Sequence, residues 1–223
     1  MAPLRFGTSG IRGVVGERLT EDGCTNAGRA LGTVLGRGAH VCLARDTRVS
    51  GPAMAGWIST GLSSAGVDVT DFGLAPTPAL AAVTRSGSFD AGVMITASHN
   101  PPEYNGIKVF DSEGIGLARS VEEQVERLME SGDFASGTGK LEAGTSILKR
   151  YMGTIPDALV SAAVSKGIGV LLDPGNGAAS GFARTLFQRL GLNTAVVNDS
   201  PDGHFPGRGA EPSAASPPPQ TLS

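Results

Sequence analysis

The chain has 223 residues, 40% apolar and 17% charged, with a formal net charge of −3. That balance describes a folded globular protein and excludes a disordered one. No Lys/Arg tract interleaves with aromatics, no apolar run is long enough to span a membrane, and the start MAPLRFGTSG lacks the apolar segment of a signal peptide, so neither nucleic acid nor membrane is an expected partner.

Taken in chain order, a helix is predicted over 21–36, capped by Thr20 with Glu21 and Asp22 in its first turn. The run HVCLARD (40–46) reads as a strand. It holds Cys42, which with Cys24 makes two cysteines, read as reduced thiols of a cytoplasmic protein. A helix over 52–65 opens at Ser50-Gly51-Pro52, where proline suits the first turn. Strands follow at VDVTDFG (67–73), AGVMIT (91–96) and GIKVF (106–110). A helix over 121–131 carries a capping box, Ser120 with Glu123. The stretch GDFASGTGKLEAG (132–144) reads as a linker or surface loop beside a domain boundary. Beyond it come a helix over 146–164, a strand GIGVLLD (167–173), a helix over 177–190 and a strand NTAVVN (193–198).

The alternation predicts an α/β fold: a mixed, mostly parallel sheet sandwiched by helices, followed by a partial second α/β domain. Apolar residues at consecutive strand positions fit strands covered on both faces. The domains are predicted as 1–140, a partial second domain at 146–212, and an irregular tail at 213–223, where SAASPPPQTLS has no periodicity. A unit of about two strands buries little apolar surface, so the second unit reads as part of a domain and the chain as interrupted.

In open parallel sheets ligands bind beyond the carboxyl ends of the strands. Four polar loops flank such ends. In FGTSGIRG (6–13), three glycines let amides face an anion beside Thr8 and Ser9, and Arg12 adds a forked cation. In ARDTRVSG (44–51), Arg45 or Arg48 could bind phosphate, or pair with Asp46. DPGNGAASG (173–181) could bind phosphate at a helix N-terminus or simply turn tightly. In TASHNPPEYNG (96–106), Pro101 and Pro102 stiffen the turn that carries Ser98, His99 and Asn100. A stiff turn holds a hydroxyl for group transfer; the plainer alternative has Ser98 and Asn100 satisfying turn amides. Lys108, in GIKVF, is either a surface lysine or an acid/base or phosphate group paired with that loop. Together the loops suggest a site for an anionic, phosphorylated small molecule.

FGTSGIRG, RDTRVSG, APTPAL (75–80), ITASHNPPEYNGIKVF, DPGNGA and PDGHFPGR occur in the order seen in the phosphohexomutase family, and the chain resembles that family over residues 4 to about 212. The family comprises phosphomannomutases, phosphoglucomutases and phosphoglucosamine mutases, and the resemblance is to archaeal-type members. It implies that Ser98 carries a phosphoryl group, that Mg²⁺ binds through that phosphate, and that the substrate is a hexose or hexosamine phosphate passing through a bisphosphate. It also implies that His99 and Lys108 assist proton transfer or positioning and that Arg12 contacts the reacting phosphate. Thr8, Ser9, Arg45 and Asn100 join Arg12 and Lys108 as candidate phosphate- or substrate-binding residues.

Family members have four domains, and the third brings a D-x-D-x-D-R metal loop. This sequence contains no D-x-D. The chain is therefore expected to hold the first domain and most of the second, with negligible mutase activity alone. Two alternatives stand beside that reading: a non-catalytic sugar-phosphate-binding or scaffold module, and one half of a split mutase with a separate C-terminal half. A serine hydrolase is disfavoured, since no G-x-S-x-G elbow is present.

Overall fold

A computed structural model describes residues 4–156 and 169–212. Its first unit is a six-stranded sheet in the order β1-β5-β4-β2-β3-β6. The strands are β1 (Ile11–Val14), β2 (His40–Arg45), β3 (Asp68–Leu74), β4 (Ala91–Ile95), β5 (Tyr104–Asp111) and β6 (Leu141–Ala143). The pairs β2–β3, β2–β4 and β3–β6 are parallel, while β5 runs antiparallel to both β1 and β4. The helices are α1 (Glu21–Leu35), α2 (Gly51–Ser64), α3 (Thr77–Val83) and α4 (Arg119–Ser131). A single π turn, Thr84–Ser88, follows α3.

Strand alternation explains why the sheet is covered on both sides. Val41 and Leu43 of β2 and Val93 and Ile95 of β4 face a core closed by α1, α2 and α4. Cys42, Ala44 and Met94 face a second core under α3. Helices α1 and α2 approach closely because both lack a side chain at the crossing. A Cβ on Gly61 would lie 2.1 Å from the Thr25 carbonyl, and one on Gly28 would lie 2.5 Å from that of Ile58.

The second unit begins with α5 (Ile147–Gly153), which packs on α3. It continues with β7 (Gly169–Leu172), α6 (Phe182–Arg189) and β8 (Asn193–Val196). β7 and β8 pair in parallel. Phe182 at the head of α6 joins the second core and lies 5.7 Å, centroid to centroid, from the Tyr151 ring.

Several expectations change. Thr20 does cap α1, accepting from the Gly23 amide at 3.2 Å. The capping box does not form: α4 starts at Arg119, one turn position before Ser120, with Ala118 as its cap. Arg119 instead fans onto Glu122, Glu123 and Glu126. The 132–144 stretch is no free linker. The Gly137 and Gly139 amides bond the carbonyls of Ser64 and Ser63, and residues 141–143 extend the sheet as β6. Helix 177–190 begins only at Phe182. β1, α3 and β6 are additions to the expected elements. The predicted tail at 213–223 and part of the predicted 146–164 helix lie outside the described residues.

Candidate active site

β4 ends at Ile95 and delivers Thr96, Ala97 and Ser98 past the carboxyl edge of the sheet. Ser98 is exposed and left-handed, at φ 57°. A non-glycine residue reaches that region only when its surroundings hold it there. Here the Ser98 amide donates to Thr96 Oγ1 (3.0 Å), and Thr96 Oγ1 donates to Asp46 Oδ2 (2.6 Å). Asp46 also accepts from the Arg48 amide and from Arg48 Nε, both at 3.1 Å.

Arg48 closes the circuit. Its side chain is fully buried. Nη2 donates to the carbonyls of Ser98 (2.9 Å) and Asn100 (2.8 Å), and Nη1 to those of Pro101 (2.6 Å) and Tyr104 (2.9 Å). With Nε on Asp46, all five guanidinium N–H groups are used. Of the two roles open to Arg48, the ion pair with Asp46 is realised and no donor is left for a phosphate. The prolines stiffen the turn, but this arginine holds its carbonyls. No regular spacing in the sequence points to such a clamp.

Ser98 Oγ lies 3.4 Å from His99 Nδ1, a weak contact that leaves the hydroxyl available. His99 Nε2 is 3.7 Å from Glu211 Oε2, both side chains exposed, so that pair contributes little. Arg12 lies on β1 opposite Gly106, whose carbonyl accepts the Thr96 amide, which places it beside the serine loop. Its Nε is buried with no hydrogen-bond partner among the described residues. Lys108 stands opposite Met94, with Nζ 5.1 Å from the Phe110 ring centroid.

Ser98 opens on a cavity of about 180 Å³. The first unit lines it with Asp46, Pro76, Thr77, Met94, Thr96 and Ser98, and the second with the 174–178 turn, Phe205, Arg208 and Ala210. Five of the six quoted motifs thus converge: RDTR, APTPAL, TASHNPP, DPGNGA and PDGHFPGR. Other predicted residues stay outside this lining. Thr8 and Ser9 are exposed in a turn closed by reciprocal Gly7–Gly10 bonds. Arg45 shares the Val41/Leu43 face of β2, with its stem against Gly51. Asn100 gives its amide to the Ala97 carbonyl, the turn-building role.

The DPGNG turn is a bracket and not a helix-end anion site. Asn176 bonds through its amide to the Asn198 carbonyl, through Nδ2 to the Ser200 carbonyl, and accepts from the Gly207 amide. The Gly181 amide at the head of α6 is taken by Asp199 (2.7 Å). Arg208 pairs through Nε with Asp173 (3.2 Å), while its Nη1 is buried without a partner among the described residues. Neither Phe205 nor Arg208 was singled out from the sequence, although both lie in a quoted motif.

Mg²⁺ finds no cage here. Among the described residues no three His, Cys, Asp or Glu side chains come together. Asp46, the one carboxylate among the described lining residues, is engaged by Arg48 and Thr96.

Comparison with known proteins fits this geometry. Residues 3–136 match the family model of phosphoglucomutase/phosphomannomutase alpha/beta/alpha domain I, and residues 149–223 that of domain II. The chain belongs to the phosphoglucomutase/phosphomannomutase family. The second match runs past the last quoted motif to residue 223. The chain is 42% identical over 216 residues to a phosphoglucomutase/phosphomannomutase of Thermococcus kodakarensis, covering 93% of this chain and 47% of that protein. It is 43% identical over 201 residues to a phosphoglucosamine mutase of Thermotoga maritima, covering 89% and 46%. A solved family protein from Burkholderia thailandensis superposes with a TM-score of 0.79 at 33% identity, over 92% of this chain and 46% of that one. The chain spans about half the length of the curated relatives it matches. No helix among the described residues is long and apolar enough to cross a membrane.

Proposed function

We propose that the chain supplies the phosphate-carrying serine and its cradle for a phosphosugar mutase. The observation that carries this is Ser98: its backbone is held by a closed hydrogen-bond circuit while its Oγ is exposed to a cavity lined by both units. Phosphoryl transfer asks mainly for alignment and for charge stabilisation on the equatorial oxygens. Phosphorylated Ser98 would give its phosphoryl group to a sugar hydroxyl, whose proton leaves to a nearby base. The resulting bisphosphate would return its other phosphoryl group to Ser98, with the proton going back. His99, adjacent to Oγ, and Lys108 are the candidates to move that proton, and Arg12, whose buried Nε has no partner among the described residues, is the candidate to meet the phosphate. Mg²⁺ would supply charge neutralisation on the phosphoserine, with carboxylates that this cavity does not provide.

The substrate class is a hexose or hexosamine phosphate. Relatives of both kinds are about equally similar (42% and 43%), so similarity does not choose the sugar. Two buried free thiols support a reducing, cytoplasmic setting.

Incubation with a hexose 1,6-bisphosphate and Mg²⁺, read by intact mass and peptide mapping, should add one phosphate at Ser98 and none in Ser98→Ala. A coupled mutase assay of the chain alone should show negligible turnover. Phosphate landing elsewhere, or turnover that survives Ser98→Ala, overturns the reading. A second reading, sugar-phosphate binding without transfer, is favoured by the lack of a carboxylate cage among the described residues. Saturable binding of a hexose phosphate with Ser98 never labelled would select it.

A further inference from the structure

We propose that Arg48 is the positioning residue for Ser98, and that the second unit holds Arg48 in place through Phe205, so that docking of the 202–207 turn sets the geometry of the phosphate-carrying hydroxyl.

Four carbonyls, those of Ser98, Asn100, Pro101 and Tyr104, converge on one guanidinium. Carbonyls turned inward need donors, and no other side chain in the first unit is seen to serve them. The arginine is therefore what makes the loop's inward-facing conformation, including the left-handed Ser98, affordable. Lysine could not replace it, since three donors on a flexible stem cannot reach what five fixed ones reach.

The second unit covers a face of that guanidinium. The Phe205 ring lies over Arg48 with Cζ 5.3 Å from its centroid, and Phe205 is 7% exposed. Covering the guanidinium keeps water off its hydrogen bonds, which strengthens them. The turn that presents Phe205 is built for close approach. A Cβ on Gly203 would lie 2.5 Å from the Thr47 carbonyl oxygen and 2.9 Å from Arg48 Cα. Phe205 itself is held left-handed at φ 53°, unusual for a bulky residue. Its amide bonds the Asp202 carbonyl, and Asn176 accepts from Gly207 and gives its carbonyl to the Asp202 amide. DPGNG and PDGHFPG thus form one bracket that presses an aromatic ring onto the arginine of RDTR.

The purpose assigned to this contact rests on the mutase reading; the contact itself is testable without turnover. Amide hydrogen exchange in the 223-residue chain reports it directly. In Phe205→Ala the amides of Ser98, Asn100 and Tyr104 should exchange roughly tenfold faster, as loss of a desolvated cation–π contact implies, while those of Val93 and Leu43 keep their rates. Phe205→Tyr should restore protection, and Phe205→Leu should restore less. Arg48→Lys should accelerate the same three amides more than Phe205→Ala does. Unchanged exchange at these amides in Phe205→Ala overturns the proposal, and so does equal acceleration at Val93 and Leu43. Altered exchange together with an unlabelled Ser98 would sink the mutase reading and leave this one standing.

Discussion

The first unit and the second unit are written in the same strand-and-helix pattern but are covered to very different extents. Every residue of β4 is buried, whereas β7 and β8 alternate between exposed and half-buried positions. Leu43 of β2 is fully buried, and Leu171 of β7 is 48% exposed. An apolar run therefore announces a strand, but how deeply it is buried depends on neighbours. β2 has a strand on each side and helices on both faces; among the described residues β7 pairs with β8 alone, and α6 packs on β8. Two strands cannot enclose a core as six can.

Truncating a leucine in each unit is the strongest way to break this comparison. Leu43→Ala should cost about 2–5 kcal/mol, because it removes a packed side chain and leaves a cavity. Leu171→Ala should cost under about 1 kcal/mol, since half of its side chain already meets water. Chemical denaturation midpoints check both. Equal losses would mean that β7 is as well covered as β2.

The thiols sharpen the comparison further. Burial pushes Cys24 up to about 12. Burial likewise pushes Cys42 up to about 11, against the opposing pull of its contact with Thr84. Neither forms much thiolate at pH 8, so native labelling by a thiol reagent should run only as fast as the first unit opens. Cys24 sits in the core under α1 and α2, and Cys42 in the one that Phe182 of the second unit enters. Phe182→Ala should therefore speed labelling of Cys42 several-fold and leave Cys24 unchanged, if local openings follow packing. Equal acceleration of both would mean that the two faces open together.

What could be read from the sequence divides along similar lines. The long apolar strands and α1 were legible because periodicity and the Thr20 cap are local signals. Ser98 was legible because two prolines and a strand end mark its turn. The clamp was not. Arg48 and the carbonyls it serves are separated by about fifty residues and joined only by the fold. Its two sequence readings, phosphate ligand and ion pair with Asp46, use the same residues of one loop, and only the folded positions of the 98–104 carbonyls decide between them. The capping box failed for a related reason. Ser120 and Glu123 have the right spacing, but α4 starts two residues earlier than that box requires, with Arg119 paired to the acids of its first turns. The Gly-rich 132–144 stretch carried the composition of a linker, yet small residues are also what lets a backbone lie flat along a sheet edge.

The smallest effect expected is a change of slope with pH, and it probes a tie inside the first unit. Glu126 of α4 is buried. It accepts from the Phe6 amide (2.7 Å), from Arg5 and from Arg119. It thereby pins the start of the FGTSG loop to α4. Burial pushes its carboxyl up, but the Phe6 amide and the two guanidiniums outweigh burial, and the net shift is downward from 4.5. A carboxyl whose folded value is depressed binds its proton more readily when unfolded. Its contribution is thus fully present above the ordinary glutamate value and is lost as pH falls through the lower folded value. Thermal melts from pH 7 to pH 3 should show wild type above Glu126→Gln on the neutral plateau. The gap should hold down to about pH 4.5 and narrow below it, because the other carboxylates titrate alike in both proteins. A gap that stays constant to pH 3 would show that the Glu126 charge does not hold the loop, and that packing around α4 does so instead.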